Sequence, residues 1–126
     1  MPHINEYHCT QESCKFAGPT GWGYYMYAEA DDGERINCPH PGERSKARSV
    51  IGDDATKKEI DNRTGFNYHC VCIDCIEQFD RDPQQDDLTC PNCDSTAIEL
   101  LVELVNQPCP KCGEGTFVAE DTGAIA

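Results

Sequence analysis

Three cysteine pairs of the form Cys-x-x-Cys constrain this chain more than any other feature. They are Cys72/Cys75, Cys90/Cys93 and Cys109/Cys112, all in the C-terminal half. Two cysteines separated by two residues can supply one edge of a metal tetrahedron from a single tight turn, with backbone N–H groups free to face the thiolates. Proline after the first cysteine pre-sets φ for that turn, and glycine after the second accepts a left-handed backbone. Cys109-Pro110-Lys111-Cys112-Gly113 has both. Cys90-Pro91-Asn92-Cys93 is followed by Asp94 instead of glycine, and Cys72-Ile73-Asp74-Cys75 has neither.

The chain has ten cysteines in 126 residues and only 38 % apolar residues, cysteines included. Small domains this poor in large aliphatics need a disulfide, a metal or a partner to stabilise them. Met1-Pro-His-Ile-Asn-Glu-Tyr-His8 shows neither the basic nor the apolar region of a secretory signal, and no stretch has the apolar length of a membrane span. A cytoplasmic, reducing compartment is therefore expected, where paired cysteines hold metal more readily than each other.

The fourteen residues between Cys75 and Cys90 are close to the usual spacing of a four-cysteine zinc site. Over residues about 66–119 the chain resembles the zinc-ribbon class, with knuckles similar to those of rubredoxins. The resemblance implies a small, mostly β, metal-stabilised fold of knuckle hairpins, with Cys72, Cys75, Cys90 and Cys93 as its first site. Zn²⁺ is the expected ion, two or three per chain, with Fe as the alternative, since both suit tetrahedral thiolates.

Outside the first site six cysteines remain: Cys9, Cys14, Cys38, Cys70, Cys109 and Cys112. Two further four-coordinate sites would need two histidines. His40 is well placed, because Cys38-Pro39-His40-Pro41-Gly42 is a rigid turn. The favoured reading has an N-terminal site of Cys9, Cys14, Cys38 and His40, with Cys109 and Cys112 joining Cys70 and either His69 or His8. A two-metal alternative joins Cys109/Cys112 to Cys9/Cys14 and leaves Cys38 and Cys70 as buried thiols.

Three stretches are distinguishable. Residues 1–43 carry an aromatic run, Trp22-Gly-Tyr-Tyr-Met-Tyr27, expected as a strand that turns at Asp31-Asp32-Gly33 into a second strand at Glu34–Asn37. Residues 44–63 are basic, with one short helix expected over Ala55–Asp61, capped by Asp53 or Asp54. Its lysines and Arg63 read as a solvated face, with a docking patch for an acidic partner as the other reading. Residues 64–126 hold the three knuckles. There, Ile98-Glu-Leu-Leu-Val-Glu-Leu-Val105 is open to either strand or helix, and Glu120–Ala126 is expected to fray.

The net charge of −13 divides among these stretches as −5, +2 and −10. Such a field repels phosphate backbones and disfavours a nucleic-acid-binding ribbon. No His-Glu-x-x-His, Gly-x-Ser-x-Gly, phosphate loop or dinucleotide fingerprint occurs, and the expected metal sites are closed, so catalysis by the chain alone is disfavoured. The leading expectation is an accessory subunit or adaptor docking on a larger protein or enzyme complex. In size and metal content it is similar to the small zinc-rich subunits of multi-subunit enzymes, ATP-dependent ketone carboxylases among them. A rubredoxin-like Fe(Cys)₄ electron carrier is the second reading. A thiol oxidoreductase ranks last, since the cysteine pairs all have metal partners to hand.

Overall fold

The chain follows its turn chemistry into ten short elements, described by a computed structural model over residues 3–39 and 42–125. They are β1 (His3–Cys9), β2 (Tyr24–Glu29), β3 (Arg35–Cys38), α1 (Glu43–Ile51), α2 (Lys57–Asn62), β4 (Thr64–Cys72), β5 (Gln78–Arg81), β6 (Ile98–Leu100), α3 (Leu101–Leu104) and β7 (Phe117–Ile125). The architecture is small and mostly β, with three short helices where one was expected. The elements form two units, one of residues 1–23 and 68–126, the other of residues 24–67.

In the first unit β1 and β7 form an antiparallel pair in which Cys9 lies opposite Phe117 and Tyr7 opposite Ala119. The last half of β4 is flanked by β5 and β6, so Cys70 faces both Phe79 and Leu100 in register. This is why Cys70, Val71 and Cys72 are all fully buried. The core gathers Tyr7, Phe16, Val71, Leu101, Leu104 and Phe117 around Cys9 and Cys109. Phe117 sits at its centre, 5.4 Å from the Phe16 ring and 6.2 Å from the Tyr7 ring. Cysteines therefore supply part of the apolar core that the composition lacks.

Two expectations change here. Glu120–Ile125 does not fray, because β7 continues to a pairing of Ile125 with His3, and Thr122 Oγ1 donates to Ile4 O at 2.8 Å. The apolar run 98–105 is both strand and helix. Its first three residues pair with β4, and the chain then turns once as α3, burying Leu101 and Leu104.

In the second unit the aromatic hairpin forms β2 and β3, with Met26 opposite Cys38 and Glu29 opposite Arg35. Asp32 accepts from Glu34 N at 2.9 Å to shape the turn. Helix α1 lays Ala47 against Ala28 and Cys38. It starts at Gly42 with φ 100° and no side-chain cap, so no N-terminal capping signal announced it. Helix α2 begins two residues later than expected, because Thr56 takes the cap and accepts from Glu59 N at 3.2 Å. Two of the six basic residues of this stretch clasp backbone, Arg48 donating to Asp53 O and Ala55 O and Arg63 donating twice to Glu29 O, while Lys57 pairs with Asp61.

Candidate metal centres

The three knuckles share one backbone conformation. In each, the residue after the second cysteine donates its N–H to the carbonyl of the first: Ile76 to Cys72 at 2.7 Å, Asp94 to Cys90 at 3.0 Å and Gly113 to Cys109 at 2.9 Å. That residue is left-handed every time, with φ 65° at Ile76, 62° at Asp94 and 68° at Gly113. The left-handed turn is thus imposed by the site even where the side chain opposes it, as at β-branched Ile76.

These turns place the sulfurs in two groups of four, Cys72, Cys75, Cys90 and Cys93, and Cys9, Cys14, Cys109 and Cys112. Within the first group the Sγ atoms of Cys72 and Cys93 are 3.6 Å apart, as are those of Cys75 and Cys90. In the second, Cys9 and Cys112 are 3.6 Å apart and Cys14 and Cys109 3.8 Å. A tetrahedron with Zn–S bonds of ~2.3 Å has edges of about 3.8 Å. A disulfide would bring sulfurs to ~2.05 Å. The spacing fits four thiolates around one ion and excludes disulfides in this arrangement.

Long-range pairing assembles the second group. The Cys9–Cys14 loop is closed by Cys14 N to Gln11 O at 3.0 Å and Cys9 N to Phe16 O at 3.0 Å. The pairing of β1 with β7 then brings it to the knuckle that precedes β7. The favoured ligand set of Cys9, Cys14, Cys38 and His40 is corrected on this point: Cys9 and Cys14 group with Cys109 and Cys112 in their own unit, as in the two-metal alternative. Cys38 lies in the other unit, where its thiol faces Ile36 O at 3.6 Å in a pocket of Ala28 and Ala47. His40 lies outside the described residues.

The companion set built on Cys70 and His69 is corrected as well. Cys70 donates to Tyr68 O at 3.3 Å, and burial pushes its thiol up to about 11. His69 Nδ1 lies 2.7 Å from Asp80 Oδ1, a cross-strand pair between β4 and β5. His8 pairs with Glu120 at 3.2 Å.

One sulfur of each group is surrounded by donors that favour its negative charge. The Gly115 N–H lies 3.4 Å from Cys112 Sγ and, with the Glu114 N–H, holds that thiol down to about 6. The Asn92 side-chain amide, 3.5 Å from Cys75 Sγ, and the Glu77 N–H hold Cys75 down to about 7. Burial instead pushes Cys9 up to about 12, against the pull of the Gln11 N–H. Asn92 and Gly115 were not legible as functional in the sequence. An asparagine inside a knuckle and a glycine three residues past one carry no distinguishing local signal.

Exposure separates the two centres. Cys75 and Cys93 are exposed, whereas Cys9 and Cys109 are buried and Cys14 and Cys112 half-buried. Both centres have the donor chemistry of structural metal sites, four soft protein ligands with no side chain missing from the tetrahedron. The class defined is a small β fold stapled by two four-cysteine clusters, in keeping with a zinc-ribbon-like organisation. No family model, no curated protein and no solved structure matches the chain.

Proposed function

We propose that this chain is a zinc-stabilised, non-catalytic accessory module that docks on a larger protein or enzyme complex in the cytoplasm. The observation that carries the reading is the completeness of both tetrahedra. A catalytic zinc keeps a position for water or substrate and typically has three protein ligands. Here each ion would meet four thiolates, which leaves it the role of fixing the backbone. The left-handed turn at Ile76 and the cysteines in the core support the same reading, since metal replaces the burial that this composition cannot provide.

Native mass spectrometry of the chain isolated from its source tests the proposal. Two zinc ions per chain in company with a heavier partner is the expected result. A third ion would overturn the ligand assignment, and recovery only as free monomer would count against docking.

The exposed edge of one centre favours a second reading. Cys75 and Cys93 reach solvent, and N–H donors from Asn92 and Cys93 lie 3.3 and 3.4 Å from Cys90 Sγ. An Fe(Cys)₄ electron carrier uses such a surface. Elemental analysis showing zinc in colourless protein would dispose of it.

A further inference from the structure

Between the two metal centres of the first unit lies an open cleft of about 450 Å³. One wall is Ile73, from the Cys72–Cys75 knuckle, and the other is Pro108 and Pro110, from the approach to and interior of the Cys109–Cys112 knuckle. Leu104 of α3 lines it between them, and Glu99 of β6 and Glu103 of α3 add two carboxylates. Ile73 is one of the few large apolar side chains left exposed, at 37 %. Both prolines lack an N–H, and the exposed Gln107 before them adds an uncharged amide to the lining.

The charge pattern selects the occupant. The cleft holds two carboxylates and no cation, and neither Glu99 nor Glu103 has a side-chain hydrogen bond or ion pair among the described residues. The surrounding unit adds to this field, since residues 64–126 carry twelve acids and two bases. An aliphatic side chain seated between Ile73, Leu104 and the prolines would leave a lysine or arginine beside it within reach of both carboxylates. An acidic or purely apolar segment would leave both carboxylates without a counter-charge.

Resting on the docking role proposed above, we infer that this cleft is the seat for a partner's extended segment in which basic residues alternate with aliphatic ones. Its two walls belong to different metal centres, so the seat exists only while both ions hold their knuckles in place. Metal loading and partner binding are therefore coupled, although no metal touches the partner. The volume suits one or two side chains, so the cleft is an anchor within a wider interface.

The test titrates the metal-loaded full chain with a fluorescein-labelled peptide of sequence Lys-Leu-Arg-Ile-Lys, followed by anisotropy and by amide shifts of the ¹⁵N-labelled chain. Saturable binding is expected, with shifts confined to residues flanking Ile73, Glu99–Leu104 and Pro108–Pro110. The pair Glu99→Gln/Glu103→Gln should weaken it at least fivefold, and Ile73→Ser at least threefold, with two metals still bound in each variant. Glu6→Gln/Asp87→Asn removes the same charge from exposed positions elsewhere. Equal weakening by that pair would show mere attraction to an acidic chain and overturn the inference. Equally tight binding of spermine would overturn it in favour of a small cation. The same variants separate this inference from the docking role. A cleft variant that still recovers the wild-type partner overturns the cleft alone, whereas a wild-type chain that recovers no partner sinks both.

Discussion

Replacing Gly115 by alanine should unseat the metal of the Cys9/Cys14/Cys109/Cys112 centre and leave the other intact. A Cβ at this position would lie 2.5 Å from Cys9 Sγ, 2.9 Å from Gln11 N and 3.0 Å from Gln11 Cβ. Ordinary contacts to carbon fall near 3.5–4.0 Å, so atoms must separate by about 1 Å. None of the neighbours has room. Cys9 is held in register opposite Phe117, and Gly115 accepts from Cys109 N at 2.9 Å while donating to Cys112. Overpacking of this kind costs about 1–3 kcal/mol. Charged to the metal-bound state, and at 1.4 kcal/mol per factor of ten, that lowers the affinity of this centre about 5- to 150-fold. Cobalt titration followed by thiolate-to-metal absorption, with zinc back-titration, resolves the two centres. The Cys72/Cys75/Cys90/Cys93 centre of the same variant, which the substitution does not touch, serves as the internal control. Affinity within twofold of wild type at both centres would refute the close approach of Gly115 to the ligand.

The left-handed residue of the second knuckle should discriminate by side chain. Asp94→Gly should change stability little, whereas Asp94→Val, β-branched at φ 62°, should destabilise by about 1–2 kcal/mol in denaturant titration. Binding at the Cys9 centre must displace the proton of a thiol pushed up to about 12, so apparent affinity should fall at least tenfold per unit as pH drops from 7 to 6, read by competition with a chelator. Burial raises the Cys38 thiol, so its contribution to folding is present below the ordinary thiol value of ~8.5 and is lost as pH rises through the raised one. Cys38→Ala should flatten that alkaline decline in thermal unfolding, and an unchanged pH profile would refute the assignment. Alkylation of the native, metal-loaded chain should modify none of the ten cysteines. Chelator should release the eight ligands, with Cys38 and Cys70 reacting only after denaturant.

Local chemistry carries some of these features and long-range pairing the others. A Cys-x-x-Cys knuckle is a property of five or six residues, so the Cys72/Cys75 and Cys90/Cys93 centre could be read from spacing alone. The Asp31-Asp32-Gly33 hairpin could be read in the same way, because its turn residues and flanking aromatics are contiguous. Helix α1 could not, for its first residue has only a left-handed glycine before it and its single buried residue is Ala47.

The partner of the Cys109/Cys112 knuckle was decided by tertiary structure. Cys9 and Cys14 have four residues between them in a loop that resembles no knuckle, and what delivers them is the register of β1 on β7. That register depends on Phe117, Tyr7 and Phe16 packing into one core, a contact between opposite ends of the chain. The same pairing orders Glu120–Ile125, which a local reading takes for a fraying tail. The sequence by itself determined that this chain presents cysteine pairs fit to hold metal, because the turn that presents a ligand pair is local. Which pairs share an ion, and which cysteines stay buried thiols, follows from strand pairing that no short window contains.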